Sequence, residues 1–212
     1  MTVDAKICGI ATQDALGAAV EGGAKFVGFV FYAPSPRNVS PDVARGLAGA
    51  TPARMQKVGL FVDATDEVIA SVCETVPLDF LQLHGEETPE RVAAIRATFA
   101  LPVIKAIRLG AASDVSRAEA YLKVADRLLF DARGPAGSLP GGRGQAFEWE
   151  WLLGREWPIP WLLSGGLNAS NVARAVCLSG ARAVDVSSGV EDRPGHKDPR
   201  RIAEFLSAVS AL

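Results

Sequence analysis

The chain has 212 residues, of which 49% are hydrophobic and 22% are charged, and its formal net charge is −2. This composition is typical of a globular protein and excludes intrinsic disorder, a collagen-like repeat and a disulfide scaffold. The lack of basic excess disfavours nucleic acid as a partner. The apolar runs are far shorter than the ~20 residues of a membrane-spanning helix, so we expect no membrane partner.

The N-terminus and the cysteines predict a cytoplasmic location. Asp4 and Lys6 interrupt the apolar stretch that a signal peptide would need. Cys8, Cys73 and Cys177 show neither zinc-ligand spacing nor a disulfide pattern, which favours a reducing compartment. Cys73 and Cys177 fall within apolar stripes of predicted helices, and we expect both in the core.

Short apolar runs alternate along the chain with longer segments of helical periodicity. The runs are continuously apolar, which is typical of parallel strands covered on both faces by helices. Helix starts are marked by a capping residue before a proline at Ser40, Thr88 and Asp198, and Asp66 and Ser113 are further candidate caps. The predicted strands are residues 5–10, 26–31, 56–62, 80–84, 102–108, 127–131, 160–164 and 183–187.

These repeated βα units predict an α/β protein with a single (β/α)8 TIM barrel over residues 1–212. The alternative is a doubly wound open sheet, which would usually carry a glycine-rich turn after its first strand. The sequence after the first predicted strand lacks such a turn. In a TIM barrel the chemistry lies at the C-terminal ends of the strands, and polar residues do end the predicted runs.

Two residues at strand ends are suited to proton transfer. Cys8 follows Lys6 on the same side of the first strand, and a cysteine near a cation can act as a base or nucleophile. The alternative is a buried cysteine that only packs. Asp131 directly follows an apolar run, where a carboxyl group can serve as a general acid. The alternative for Asp131 is a helix cap or a turn residue.

The seventh and eighth runs end in turns of small residues. In a TIM barrel the loops after these two strands often bind phosphate through backbone N–H groups, and glycine lets the backbone approach an anion closely. The alternative is that the glycines only serve turn geometry. The pair of turns predicts a phosphorylated small-molecule ligand, held by Gly165, Gly166, Ser187, Ser188 and Gly189.

Other strand ends supply further candidates for ligand binding. Arg37 lies in a proline-rich loop and suits bidentate recognition of a carboxylate, although a solvated loop arginine is the alternative. Gln82 and His84 end the fourth run, and His84 is either a base or a hydrogen-bonded structural histidine. The glycine-rich residues 132–146 are long enough for a lid, or form a flexible loop. No cluster with metal-ligand spacing is present, so we expect no metal or cofactor.

Taken together, these motifs resemble the phosphoribosylanthranilate isomerase family along essentially the whole chain. A single GG or CG would be weak evidence, but the combination in this order is specific. The motifs are KICG at 6–9, GFVF at 28–31, SPR at 35–37, VGLFV at 58–62, LQLHG at 81–85, GGRGQ at 141–145, FEW at 147–149, LSGGLN at 163–168, VDVSSGVE at 184–191, PG at 194–195 and KD at 197–198.

The resemblance implies a barrel enzyme of tryptophan biosynthesis that uses no cofactor. The expected reaction is the Amadori rearrangement of N-(5-phosphoribosyl)anthranilate to 1-(2-carboxyphenylamino)-1-deoxyribulose 5-phosphate. By resemblance, Asp131 would be the general acid that opens the sugar, and Cys8 would be the general base that removes the C2 proton. Arg37 would hold the anthranilate carboxylate, and the turns around Gly165 and Ser187 would bind the phosphate.

Two positions depart from the family pattern, and other hypotheses remain open. Arg143 stands where the family usually has a small hydroxyl residue, and Glu148 where it more often has Asp. One alternative is another phosphate-binding barrel enzyme, such as indole-3-glycerol-phosphate synthase or thiamin-phosphate synthase, with Lys105 as its catalytic lysine. The other is a barrel that binds a ligand without catalysis, which the presence of Cys8 and Asp131 disfavours. A monomer or a homodimer is expected.

Overall fold

The computed structural model describes residues 2–134, 141, 144 and 146–212. Parallel strands β1 to β8 form a barrel that closes where the last strand pairs with the first. This confirms the predicted TIM barrel, and each predicted run overlaps one strand. The strands are β1 (Asp4–Cys8), β2 (Phe26–Val30), β3 (Gln56–Phe61), β4 (Phe80–Leu83), β5 (Val103–Leu109), β6 (Arg127–Ala132), β7 (Trp161–Leu163) and β8 (Ala183–Val186).

Helices connect the strands on the outside of the barrel. After β5 and β6 the described connections contain 3-10 helices, at Ala112–Tyr121 and Trp149–Leu152. A hairpin of β9 (Glu191–Arg193) and β10 (His196–Lys197) lies between β8 and the last helix. The α-helices are α1 (Gln13–Glu21), α2 (Pro41–Ala50), α3 (Asp66–Thr75), α4 (Pro89–Phe99), α5 (Val172–Ser179) and α6 (Pro199–Ser210).

Three of the predicted helix caps are confirmed. The side chains of Ser40, Thr88 and Asp198 accept a backbone N–H from the first turn of their helices at 3.3, 3.3 and 2.9 Å, each before a proline. The predictions for Asp66 and Ser113 were wrong. Asp66 is the first residue of α3, and Ser113 lies inside a 3-10 helix.

Alternate side chains of each strand point into the barrel, as the pleat of a β-strand requires. The outward side chains join the helices in the main hydrophobic core. The inner side chains away from the mouth form a separate apolar cluster of Phe26, Val58, Phe80, Ile104, Ala106, Leu129, Leu162 and Ala183. The same alternation brings the polar residues at the strand ends together at the mouth.

The two cysteines in helices, both expected in the core, are less buried than predicted. Cys73 is half-buried and packs against the main core. Cys177 is exposed, so its predicted burial was wrong. The buried stripe of α5 consists of Val172, Ala175 and Ser179, and Cys177 lies off that stripe. Among the described residues, no helix has the length and apolar character needed to cross a membrane.

Candidate active site

The mouth of the barrel holds a cleft with two adjoining compartments. The apolar compartment, of about 540 Å³, is lined by Cys8, Val30, Tyr32, Arg37, Leu60, Val62 and His84, among others. The turn compartment, of about 390 Å³, is lined by residues of the turns after β7 and β8 and by small residues at and after the end of β6, namely Ala132, Gly134, Gly141 and Gly144. Both compartments are lined by Asp131, Gly141, Ser164, Asp185 and Ser187. Within the described part of the chain, no group of His, Cys, Asp and Glu could hold a metal ion.

The Cys8 thiol lies above a buried ion pair. Nζ of Lys6 donates to Oδ1 of Asp185 at 2.7 Å, and both side chains are buried. Gly28 pairs with Cys8 across β1 and β2. A methyl group at Gly28 would lie 3.2 Å from Cys8 Sγ and 3.2 Å from Lys6 Nζ. The glycine therefore leaves the space in which the thiol and the ammonium group meet.

Burial and nearby charges act on the Cys8 thiol in opposite directions. Burial raises the pKa of Cys8 above its ordinary value, the charge of Lys6 lowers it, that of Asp185 raises it and that of Lys197 lowers it, and the net shift is upward. Burial lowers the pKa of Lys6, but Asp185 and Cys8 outweigh that effect and the pKa is raised. Lys6 therefore stays a cation, while Cys8 holds its proton at neutral pH.

Asp131, near the end of β6, is paired with His84, which directly follows β4. Oδ1 of Asp131 accepts the Ala132 N–H at 2.9 Å, and Oδ2 lies 3.1 Å from Nε2 of His84. Nε2 of Gln82 lies 2.9 Å from Nδ1 of His84. With the amide donating to Nδ1, a neutral His84 ring carries its proton on Nε2, facing Asp131.

Gln82 and His84, the two candidates at the end of β4, lie at different depths in the barrel. His84 lines the apolar compartment. Gln82 is fully buried and is not among the described residues that line either compartment. Its contact with His84 makes it a support for that ring rather than a wall of the cleft.

Arg37 is held by a carboxylate from the β9–β10 hairpin. Its Nε and Nη2 donate to Oε1 and Oε2 of Glu191 at 2.7 and 2.8 Å. Nζ of Lys197 donates to the same carboxylate and, at 3.1 Å, to the carbonyl of Ser187. Burial alone would raise the pKa of Glu191, but the hydrogen bond from Arg37 and the charge of Lys197 outweigh burial and lower it. The cluster therefore consists of two cations around one carboxylate.

The turn after β7 requires glycine. Gly165 and Gly166 have φ angles of +88° and +65°, which favour glycine. A Cβ on Gly165 would also lie 2.8 Å from the backbone nitrogen of Ala132. Both glycines line the turn compartment.

The turn after β8 contributes two of its three predicted residues to the cleft wall. Ser187 and Ser188 line the turn compartment. Gly189 lies behind them, where an added Cβ would be 1.9 Å from the carbonyl oxygen of Leu167. Gly189 thus allows the two turns to pack against each other.

Comparison with known proteins identifies the family of this barrel. The family model described as N-(5'-phosphoribosyl)anthranilate (PRA) isomerase matches residues 5–208. The chain belongs to this family. The N-(5'-phosphoribosyl)anthranilate isomerase of Rhodospirillum centenum is 57% identical over all of both chains. That of Paramagnetospirillum magneticum is 55% identical over 99% of this chain and 98% of its own.

Solved structures of PRA isomerases have the same fold over the whole chain. The enzyme from Thermotoga maritima gives a TM-score of 0.90 at 39% identity, with all of both chains covered. A PRA isomerase in complex with reduced 1-(o-carboxyphenylamino)-1-deoxyribulose 5-phosphate gives 0.87 at 37% identity, again over all of both chains. A structure of monomers generated from the dimeric T. maritima enzyme gives 0.86 at 37% identity, with the same coverage. The chain is therefore an isomerase.

The lysine that would have served a synthase lies outside the cleft. Lys105 of this isomerase points away from the barrel interior, and its Nζ donates to the carbonyls of Leu83 and Gly85 at 3.3 and 2.7 Å and to Glu87 at 2.7 Å. Burial lowers its pKa against the opposing charge of Glu87. Lys105 thus fastens the turn after β4 and supplies no reactive amine to the site.

The segment after Asp131 is described only in part. Arg143, and with it most of the glycine-rich residues 132–146, lies outside the described residues. Gly141 lines both compartments, and an added Cβ there would lie 3.2 Å from Oδ2 of Asp131 and 3.3 Å from Nε2 of His84. Glu148 precedes the 3-10 helix Trp149–Leu152 and makes no capping hydrogen bond with its side chain.

Sequence reasoning did not assign roles to four charged or polar residues around the site. Ser164 and Asp185 face the cleft floor, and Glu191 and Lys197 hold the Arg37 cluster. For Asp185 a signal existed, because it is a charged residue inside an apolar strand and lies two positions before Ser187, on the same face. For Glu191 and Lys197 the sequence holds no such signal, since their contacts are made by a hairpin whose position depends on the fold.

Proposed function

We propose that this isomerase converts N-(5-phosphoribosyl)anthranilate to 1-(2-carboxyphenylamino)-1-deoxyribulose 5-phosphate in L-tryptophan biosynthesis. The observation that carries the proposal is the division of the cleft. The apolar compartment with Arg37 suits an aromatic ring that bears a carboxylate. The turn compartment suits a phosphate. The related structure in complex with the reduced product supports this substrate class.

Substrate orientation follows from the two anionic ends. Arg37 receives the anthranilate carboxylate, with its guanidinium held in place by Glu191. Backbone N–H groups and hydroxyls around Gly165, Gly166 and Ser188 receive the phosphate. The sugar then spans the boundary between the compartments, beside Asp131.

In the acid step, Asp131 in its carboxylic acid form gives its proton to the furanose ring oxygen. The C1–O bond breaks while the lone pair of the anilino nitrogen forms a C=N bond, which leaves a protonated imine. His84, whose protonated Nε2 lies 3.1 Å from Oδ2, donates to the carboxyl group and orients it. Asp131 ends this step as a carboxylate.

In the base step, Cys8 takes the proton from C2. The C–H electrons form a C=C bond to C1, and the imine electrons return to nitrogen, which gives an enolamine. The enolamine then gains a proton at C1 while its C2 hydroxyl loses a proton to solvent, and the C2–O bond becomes the carbonyl of the ketone. Because burial favours the thiol form of Cys8 in the free protein, the positive imine of the bound substrate and the nearby lysines are what favour the thiolate.

The proposal is tested by mixing the protein with freshly made phosphoribosylanthranilate and following the loss of anthranilate fluorescence. We expect rapid conversion by the parent and a loss of roughly 100-fold or more in Cys8→Ala and in Asp131→Asn. Cys177→Ala and Asp42→Asn, at exposed positions, serve as matched controls with parental rates. Full activity in either site variant would remove that residue from its role, and an inactive folded parent would overturn the proposed reaction.

A further inference from the structure

A chain of buried polar groups below Cys8 is not used by the two proton transfers. Lys6 Nζ donates to Oδ1 of Asp185 at 2.7 Å, and Ser164 Oγ donates to Oδ2 of the same carboxylate at 3.0 Å. Lys6 is fully buried and Asp185 is nearly so. The pair connects β1 to β8, which are neighbours at the closure of the barrel.

Filling the barrel does not require this ion pair. The interior cluster farther from the mouth is wholly apolar, with aromatic and aliphatic side chains from most of the strands. Replacing a buried ion pair by apolar groups of similar size is often neutral or stabilising. Two charges placed directly beneath a thiol therefore indicate a role in the chemistry of that thiol.

We infer that Lys6 and Asp185 are a pair of positioning residues that set how readily Cys8 gives up its proton. Lys6 stabilises the thiolate from within the barrel. Asp185 keeps Lys6 protonated and, by its own negative charge, limits that stabilisation. This inference rests on the proposed role of Cys8 as the general base. It adds the two residues that set the pH range in which that base works.

Charged groups reach Cys8 from several elements. Lys6 on β1 and Asp185 on β8 lie beneath it, and Lys197 on β10 approaches from the side. Lys197 shares the Glu191 carboxylate with Arg37, and it lowers the pKa of Cys8 less than Lys6 does. Among the described residues that line the site, the remaining titratable groups are Tyr32, which packs against the cluster of Cys8, Val30 and Leu60, and the pair of Asp131 and His84.

Lys6 is distinguished from Lys197 by its place in the barrel. The ammonium group of Lys6 lies beside Cys8 Sγ, in the space that Gly28 leaves open. Of the two cations, Lys6 has the larger effect on the thiol, and the pKa of Lys6 itself is raised. It is therefore a permanent cation in contact with the base and not a second base.

The test is a pH titration of the Cys8 thiol in the absence of substrate. The ultraviolet absorbance of the thiolate is followed in each protein, and the curve of the same protein carrying Cys8→Ser is subtracted. Three backgrounds are compared with the parent: Lys6→Met, Asp185→Asn and the double variant. Met preserves the length of the lysine side chain without its charge, and Asn preserves the shape of the carboxylate.

We expect the variants to move the thiol titration in opposite directions. In Lys6→Met the thiolate population at a given pH falls about tenfold, since one pKa unit is a tenfold change. In Asp185→Asn it rises, because the Cys8 thiolate then replaces the carboxylate as the anion that keeps Lys6 protonated. The double variant has no buried charge left unpaired, so it tests the proposal if a single variant fails to fold. Its thiolate population lies below that of the parent, because the lysine acts on the thiol more strongly than the aspartate does.

Kinetics provide the second readout. The acid limb of the kcat/KM profile should move with the thiol titration, to higher pH in Lys6→Met and to lower pH in Asp185→Asn. Equal thiol titrations in all four proteins, or shifts in the same direction for both single variants, would overturn the inference. The thiol titrations could shift as expected while the parent shows no isomerase activity. In that case the proposed function would be wrong, and the ion pair would still control the thiol.

Discussion

The space beside Cys8 exists because β2 has a glycine at the paired position. Gly28 lacks the Cβ that would lie 3.2 Å from both Cys8 Sγ and Lys6 Nζ, and its φ angle is not in the left-handed region. Alanine is therefore compatible with the φ angle, and the cost is close contact with these two side chains and, at 3.3 Å, with the Cα of Cys8. A substitution at position 28 therefore tests the effect of local crowding without adding strain at φ.

Gly28→Ala is expected to lower kcat/KM roughly tenfold while the protein stays folded, because displacing a catalytic group by a fraction of an ångström is costly. The measurement is steady-state kinetics together with thermal unfolding of the same sample. Gly46→Ala is the matched control, since nothing lies within 4 Å of the added Cβ and the site is in α2. That control should keep its activity and gain about 0.5–1 kcal/mol of stability. Parental activity in Gly28→Ala would show that the thiol tolerates the crowding.

Residue types at strand ends were predictable, but their partners were not. Cys8, Asp131 and Arg37 were found as candidates because reactive side chains stood where apolar runs end. The contacts of Arg37 with Glu191 and of Asp131 with His84 join positions far apart in the chain. A pattern read along one strand holds no information on which distant side chain faces it.

At the scale of elements, the hairpin β9–β10 fixes the loop that carries Arg37. Glu191 begins β9 and binds the guanidinium through both oxygens. Gly195, in the turn of the hairpin, has a φ of +83° and lies so close that an added Cβ would be 2.3 Å from the carbonyl of Pro36. The hairpin and the arginine loop therefore form one packed unit at the edge of the cleft.

Glu191→Gln is expected to lower the free energy of unfolding by about 3 kcal/mol at neutral pH, because it removes the charge between two buried cations. The folded-state pKa of Glu191 is lowered from its ordinary value of 4.5. Its contribution is therefore full above the pKa of the unfolded chain and is lost as pH falls through the folded pKa. Denaturant titrations at a series of pH values measure this effect.

The difference in stability between Glu191→Gln and the parent should thus shrink on the acid side of the unfolded pKa. Glu204→Gln, on the exposed face of α6, is the matched control and should change stability little at any pH. A difference that stays constant down to strongly acidic pH would show that Glu191 contributes through packing and not through its charge. KM should rise in Glu191→Gln, because Arg37 is then held less firmly.

Helices that begin with a clear sequence signal were predicted well. Proline after a capping residue located the starts of α2, α4 and α6, since it fixes φ and leaves no N–H to be satisfied. The connection after β5 became a 3-10 helix at Ala112–Tyr121. Side-chain periodicity does not separate a 3-10 helix from a short α-helix, because the two differ in backbone hydrogen bonding.

At the scale of the whole molecule, the last helix covers the seam of the barrel. α6 packs against α1, α5 and β1, and β1 pairs with β8 to close the sheet. The buried face of α6 consists of Ile202, Phe205, Leu206 and Val209. Closure thus depends on apolar contacts between the two ends of the chain.

The cytoplasmic location and the choice between monomer and homodimer stay predictions.

Phe205→Ala is expected to lower the free energy of unfolding by about 3–5 kcal/mol, because it removes a fully buried ring at this seam and leaves a cavity. Denaturant-induced unfolding measures the loss. Ser207→Ala, on the exposed side of the same helix, should leave stability within about 0.5 kcal/mol of the parent. A loss of no more than 1 kcal/mol in Phe205→Ala would show that the helix is dispensable for closure. The folded variant should keep its kcat, since Phe205 does not line the described part of the cleft.

The sequence by itself determined the barrel, the positions of its strands and the reactive residues at their C-terminal ends, because periodicity, capping and strand-end chemistry are local properties of the chain. Only the tertiary structure decided that Lys105 lies outside the cleft and that Gln82 supports His84 from below. It also placed the Lys6–Asp185 pair under Cys8. These relations depend on inter-strand register and on the closure of β8 onto β1, which bring together residues that the chain keeps far apart.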